Sequence, residues 1–462
     1  MKRVIFLACA LAACGDDSGM NPDAGDDGSV DAMVDARPDT AMPDGGPDTA
    51  MPDAGPTCES GCDLVQILAG DHSCVRRENG EVLCWGGNRL GELGDGRMGH
   101  QDCTDVGETE RRDCSSRPVI VLDVVATQID NNSGPNTCAL QADGTVFCWG
   151  LSDLPPPGSD QRTREFEPVE FEGWDAPTFI QTRNANTCVI TGGTDVECTG
   201  GNNSGQVGNG TFIEVPTPTV VGGGLTNVVE LDLGIGETSC ARNSEGVFCW
   251  GSNRSGQLGD GLAAHGETCG ELPSTYDCSS TPVQVAVLTG GIPTAEAVQV
   301  DVGGEHACAV DSDGNLWCWG NNDAGQLGTG NNVGTNLPIQ IDGVTNVAEV
   351  ACGGAHTCVR FTDGSVQCWG ANFEGQVGDG EEVGSHDRCT IGGGSEDCIL
   401  SPVDVTLPAP ALHLSASFAN SCAILQNNRV FCWGENFARQ LGTAMSRERS
   451  STPLEIAGFG FD

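Results

Sequence analysis

The chain has 462 residues and a net charge of −44, from 65 acidic against 21 basic side chains. A surface of that sign repels nucleic acid. With 5% aromatic residues and 67 glycines, the composition speaks against a helical domain around one large core and for many short strands joined by tight turns.

Lys2 and Arg3 precede an apolar run from Val4 to Ala13, which ends in Leu11-Ala12-Ala13-Cys14. The run is too short to span a bilayer. It resembles a bacterial lipoprotein signal, and that resemblance implies that residues 1–13 are removed and that Cys14 carries the lipid holding the chain to the cell envelope. Residues 14–57 are nearly all Asp, Pro, Gly, Ala, Met, Ser and Thr, with PDTAMPD at both Pro38 and Pro47. Such a segment has nothing to build a core from and reads as an extended acidic tether. Its Asp-x-Asp spacings lack the rigid loop that calcium needs.

From residue 58 to 462 one unit recurs: a cysteine, a short turn, a second cysteine and usually Trp-Gly, as in HTCVRFTDGSVQCWG from His356 to Gly370. The pairs are Cys74 with Cys84, Cys138 with Cys148, Cys188 with Cys198, Cys240 with Cys249, Cys308 with Cys318, Cys358 with Cys368 and Cys422 with Cys432. In the sixth copy a three-residue loop, Thr362-Asp363-Gly364, puts glycine at the left-handed position of a type I turn with a G1 bulge. Counting back, Phe361 faces Ser365, Arg360 faces Val366, Val359 faces Gln367, and Cys358 faces Cys368 at a non-hydrogen-bonded position, where Cα atoms lie about 4.5 Å apart. In the fourth copy one residue is missing, yet a two-residue loop at Ser244-Glu245 restores the same opposition. Cysteines so matched read as disulfides, and hence as a protein matured outside a reducing cytosol.

Most copies continue into Asn-x-x-Gly-Gln-Leu-Gly and a later proline. The strings Gly303-Gly304-Glu305-His306, Asp313-Gly314, Trp319-Gly320, Asn322 and Gly325-Gln326-Leu327-Gly328, with matching runs at His72 to Gly94, Gly251 to Gly259 and His356 to Gly378, resemble the repeats of the regulator of chromosome condensation family. The resemblance covers about residues 63–462 and implies an all-β fold, a seven-bladed β-propeller of antiparallel blades. Two copies are worn: the second runs into Leu154-Pro155-Pro156-Pro157 without Gly-Gln-Leu-Gly, and the third has Thr199 where the others have Trp. Ring closure is expected to pair the C-terminal end with the opening strand near Leu64 to Leu68, since a propeller must hide its edges. The chromatin and GTPase partners of the best-known members do not carry over to an exported acidic chain.

Several residues invite a site. His72, His306 and His356 precede their cysteines by two, but Asn136, Asn186, Thr238 and Asn420 hold the same place, so the position asks for a polar hydrogen-bonding group rather than a metal ligand. The run Asp311 to Asn315 coincides with a hairpin turn, and the CWG tryptophans (Trp85, Trp149, Trp250, Trp319, Trp369, Trp433) read as packing between blades. Repeats one, four and six carry long insertions between a Gly-Asp-Gly and a Pro-Val, with the extra pairs Cys103 with Cys114, Cys269 with Cys278 and Cys389 with Cys398. Symmetry puts all three on one face, as a crown around the axis. They hold His100, His265 and His386 near acidic residues, and the second holds the only tyrosine, Tyr276. Long loops with internal disulfides are candidate ligand surfaces. Cys58 is expected to pair with Cys62, leaving Cys352 unpaired.

No catalytic constellation or cofactor motif stands out. The reading is a lipid-anchored monomer at the cell envelope that binds an extracellular or envelope protein or a glycan, without a cofactor, a metal or nucleic acid. Its rivals are an extracellular hydrolase or lyase using the propeller axis, an inhibitor of secreted enzymes and a passive spacer. Carboxylates or histidines converging at one mouth favour the enzyme.

Overall fold

Each cysteine-to-cysteine hairpin lies in the middle of an antiparallel sheet, of four strands in four blades and of five in blades one, four and six, and the seven sheets make a closed ring. The computed structural model describes residues 60–103, 112–131, 134–152, 163–183, 186–270, 273–286, 297–391, 394–443 and 448–459. The expected signal, Cys14, the tether and Cys58 lie outside these residues; Cys62 is disulfide-bonded. The inner strands are Leu64–Leu68, Ala126–Asn131, Pro177–Arg183, Glu230–Leu233, Ala297–Val302, Val347–Cys352 and Ala411–Ala416. The outer strands are Asp113–Ile120, Thr163–Glu170, Val215–Val220, Tyr276–Gln284, Thr335–Gln340, Gly394–Val405 and Ser450–Ile456.

The hairpin register follows the turn chemistry. Arg360 pairs with Val366, Val359 with Gln367 and Cys358 with Cys368, closed by Phe361 N–H donating to the Ser365 carbonyl at 2.9 Å, with Gly364 at φ +83°. In the shorter fourth hairpin Asn243 pairs with Gly246, and Cys240 still meets Cys249. The same opposition holds around the ring: Cys74 faces Cys84, Cys138 faces Cys148, Cys188 faces Cys198, Cys308 faces Cys318 and Cys422 faces Cys432. All seven hairpin pairs are disulfides, with Cα atoms 4.1 Å apart. On its other side the second cysteine abuts the outer strand, Cys84 opposite Val119, Cys148 opposite Val169, Cys198 opposite Thr219 and Cys432 opposite Leu454, and in each case the ladder shifts register before the next glycine. Cys352 is free and buried.

Hydrophobic clusters lie between blades rather than within them. Leu316, Leu327 and Ile341 of blade five, for example, pack with Val350, Val359 and Trp369 of blade six. Each CWG tryptophan is at most 1% exposed and reaches the preceding blade. Trp319 Nε1 donates to the Gln257 carbonyl at 2.8 Å, Trp369 to that of Gln326 and Trp433 to that of Gln376, both at 2.9 Å. The receiving turn ends in the last glycine of Gly-Gln-Leu-Gly. At Gly259 (φ +68°) a Cβ would stand 2.6 Å from Trp319 Nε1, so the indole needs that glycine. The two worn copies meet at one interface: the second copy has no Gly-Gln-Leu-Gly sequence to receive an indole, and its neighbour, the third, has no tryptophan to offer. Among the described residues their interface has the smallest buried cluster, Cys138, Leu140, Val146, Ile180 and Val189, patched by Phe171 and Trp174.

Closure differs from the expectation. Leu64–Leu68 pairs with its own blade's second strand, and Ser450–Ile456 completes blade seven against Val430–Gly434, so no strand is exchanged. Every blade is contiguous in sequence, and the last junction closes through side chains. Trp85 donates to the Gln440 carbonyl at 2.9 Å and meets Phe459 edge-on, while Arg77 Nη2 donates to the Phe459 carbonyl at 2.7 Å.

Trp319→Ala should cost about 3–5 kcal/mol and Gly259→Ala about 1–3 kcal/mol, measured by urea unfolding of the oxidised chain. Combined, they should cost clearly less than the sum, because each removes the contact the other spoils; additivity to within roughly 0.5 kcal/mol would refute the socket. Peptide mapping without reductant should recover the hairpin pairs, with Cys352 alkylated only after denaturation.

Candidate functional site

The three insertions share one construction. Each leaves the third strand of its blade, turns through Gly-Asp-Gly and returns as an added fifth strand, Gln101–Asp102, Glu267–Cys269 or Asp387–Ile391, on the far side of the outer strand. They occupy one face, as symmetry requires. They extend the rim of blades one, four and six rather than crowding the mouth, because the free edge of each sheet is its outer one. Their disulfides, Cys103–Cys114, Cys269–Cys278 and Cys389–Cys398, span Cα distances of 6.1, 6.0 and 5.9 Å.

Each histidine is clamped between two aspartates. His100 meets Asp113 through Nδ1 at 3.0 Å and Asp95 through Nε2 at 2.9 Å; His265 meets Asp277 at 2.6 Å and Asp260 at 2.7 Å; His386 meets Asp397 at 3.0 Å and Asp379 at 2.7 Å. The first aspartate of each trio also accepts the histidine's own backbone N–H and the side chain of the motif asparagine, Asn88, Asn253 or Asn372. Where the connection is short, that asparagine amide bonds groups of its own loop alone, as Asn322 does to the carbonyls of Asn331 and Val333 and to Thr329 Oγ1. The clasp thus replaces the short loop's own anchorage. Both ring nitrogens of each histidine face an aspartate, so these residues fix the loops rather than offer ligands.

Burial alone lowers the His100 pKa, but hydrogen bonds and charge from Asp113 and Asp95 outweigh it and push it up to about 9; His265 and His386 are raised for the same reasons. Burial raises Asp113, and its bonds to His100 and Asn88 more than reverse this, leaving it below the usual carboxylate range.

Tyr276, which opens the outer strand of blade four, donates through its hydroxyl to Ser204 Oγ of blade three at 2.6 Å, since Ser204 spends its own proton on Glu237. The Arg254 guanidinium lies 3.6 Å over its ring.

Carboxylates do converge at the axis. The inner edge of each blade has no strand partner, and side chains of the preceding blade satisfy it. Gln299 bonds both the N–H and the carbonyl of Val350, and Gln128 those of Ile180, while Asp232 accepts Val302 N–H at 2.6 Å. Burial raises Asp130 to about 7 and Asp232 to about 6, with Arg183 opposing, and raises Asp301 well above its ordinary value. These groups are already engaged as acceptors for the backbone of the next blade. Convergence here serves ring assembly.

The histidines preceding the cysteines behave as expected. His306 Nε2 meets Thr357 Oγ1 and His356 Nε2 meets Ser421 Oγ, both at 2.9 Å and both in the next blade; burial lowers each histidine to about 3, so both are neutral. His306, Cys308 and Cys352 lie close enough together to suggest a metal, but Cys308 is bonded to Cys318, which removes its thiolate. Asp311 Oδ1 accepts the N–H groups of Asp313 and Asn315, closing the turn read from the sequence.

Fold and site together define a disulfide-stapled seven-bladed propeller with three clasped rim hairpins on one face. Two models of the regulator of chromosome condensation (RCC1) repeat match parts of the chain, one at residues 244–310 and 313–360, the other at 70–92, 297–326, 347–376 and 412–440. It is similar to the ultraviolet-B receptor UVR8 of Arabidopsis thaliana, 26% identical over 289 residues, 62% of this chain and 59% of the receptor. The chain thus spans less than two thirds of that relative. Its fold resembles yeast RCC1 (Prp20) in complex with Kap60, at TM-score 0.64 and 16% identity over 89% of this chain and 91% of that one. Prp20p of Saccharomyces cerevisiae, a structure described with its binding to Gsp1p and histones, gives TM-score 0.62 and 18% identity over 88% and 90%.

The clasp makes the insertions pH-dependent with a definite sign. The raised histidines contribute stability that is full below about pH 6.5 and lost as pH rises through about 9 at His100. The depressed Asp113 and Asp277 contribute stability present above about pH 4 and lost as pH falls through their lowered values. Hydrogen exchange of the first insertion should therefore quicken above pH 9, and NMR should find the His100 imidazole titrating near that value. His100→Gln should flatten the alkaline limb; a midpoint near 6.5 would refute the clasp.

Proposed function

We propose that the chain is a cell-envelope lipoprotein, held by lipid on Cys14 and the acidic tether, that displays the propeller as a protein-interaction module through its rim-hairpin face. The observation that carries this reading is the crown itself. Three blades of seven bear an extra hairpin, each rigidified by a disulfide and an Asp-His-Asp clasp, and all three project on one face. Scaffold stability does not require them, since blades three, five and seven manage with short connections. Rigid projecting elements lower the entropy lost on association.

Ten disulfides among the described residues suit an oxidising compartment. The similar yeast propeller holds Kap60 in its crystal structure and is described as binding Gsp1p and histones, so this ring architecture supports protein recognition. The net charge of −44 argues against nucleic acid as the partner.

Replacing all three insertions by the connection Thr329 to Leu337 should abolish capture of partners from envelope and secreted fractions, with the ring still folded and its hairpin disulfides intact. Undiminished capture would eliminate this face. Cys14→Ala should move the chain from the membrane fraction to the soluble one; retention on membranes would refute the anchor.

A further inference from the structure

Between the insertion of blade four and the short connection of blade five runs an open groove of about 460 Å³. Its walls are polar: Ser255, Asn321, Asp323 and Asn336, with Leu262 as the one large apolar side chain. Arg254 stands on one wall, exposed. Among the described residues its guanidinium makes no ion pair and no hydrogen bond. It is held by stacking on Tyr276, whose hydroxyl is fixed by Ser204 and whose ring packs against the Gly270 turn, where an added Cβ would come within 2.8 Å. The chain's single tyrosine thus serves as the seat of an ordered arginine.

Such an arginine differs from its neighbours. Arg242 and Arg360 are each paired with a glutamate at 2.8 Å, Glu230 and Glu349 respectively. Although Asp323 lies across the groove, the Asn321 amide faces it at 3.4 Å, and among the described residues no carboxylate reaches Arg254. A guanidinium presents its N–H donors in a planar fork matched to a carboxylate, and prior ordering reduces what binding must freeze. Arginine and tyrosine are also the side chains over-represented where an interface concentrates its energy.

We propose that this groove is the anchor point of the interaction face: Arg254, seated on Tyr276, receives the carboxylate of an aspartate or glutamate side chain from a partner protein, while the amides of Asn321 and Asn336 line the path of the segment that carries it. The proposal rests on the protein-interaction reading and deepens it by naming the chemistry.

The test uses the oxidised full chain and three probes: N-acetyl-L-aspartyl amide, its neutral isostere N-acetyl-L-asparaginyl amide, and methyl glucuronide. The Nε–Hε signal of Arg254 in nitrogen-15 spectra reports on the site. The aspartyl probe should shift it saturably, with the asparaginyl probe at least tenfold weaker. Arg254→Gln should remove the response. Tyr276→Ala, which retains the arginine but removes its seat, should weaken it severalfold, a result that a folding defect in R254Q cannot mimic. Absence of saturation by the aspartyl probe at tens of millimolar, roughly the weakest binding that a single ion pair supports, would overturn the proposal. An equal response to the asparaginyl probe would do the same, and preference for the glucuronide would transfer the site to acidic glycans. If R254Q captures the same partners as the parent, this site falls while the wider reading of the face stands; if the triple replacement also captures them, that reading falls too.

Discussion

The ring depends on one contact made repeatedly: an indole from six of the seven blades set into a glycine turn of the blade before it. Trp149, Trp250, Trp319, Trp369 and Trp433 each lie over the last glycine of such a turn and donate a hydrogen bond to a carbonyl two residues earlier. A buried indole must find an acceptor for its N–H, and only a residue without Cβ allows the ring so close. The contact fixes distance and angle between neighbouring sheets at once. Seven blades then close because nearly all carry the same instruction, and where it lapses, between blades two and three, the turn motif and the tryptophan are lost together.

Much of this was legible in the sequence because the determinants are local. Hairpin register followed from Gly364 and the spacing of Cys358 and Cys368, and the structure pairs those residues as counted. The interblade role of the tryptophans followed from their fixed place beside the cysteines. Closure was not legible. Whether the last strand completes its own blade or the first depends on contacts such as Arg77 with Phe459, hundreds of residues apart, which no periodicity encodes.

The insertions were legible in part. Their count, cysteines and common face could be read from the repeats, as could histidines near acids. Which aspartates clamp them could not, since Asp113 and Asp95 approach His100 only once the outer strand lies beside the Gly-Asp-Gly turn. A signal was present nonetheless: repeats one, four and six share Gly-Asp-Gly, a histidine and an Asp-Cys, whereas repeats three and five have Gly-Asn-Gly and Gly-Thr-Gly at the turn. The direction of the hairpins, outward along the rim, is a property of the sheet edge and has no counterpart in the sequence. Arg254 carried no signal of its own, because stacking on Tyr276 joins the asparagine-glycine turn motif that precedes the insertion to the strand that ends it.

Every hairpin disulfide joins two strands of one sheet, nine or ten residues apart, and among the described residues none crosses from blade to blade. The covalent network is a row of separate staples along an uninterrupted backbone. Under tension along the chain the blades are therefore free to come away one at a time, each as a discrete step. The hairpin inside each bond stays sealed as its blade extends, so every step releases less chain than the blade contains, and reducing agent would lengthen the steps without changing their number.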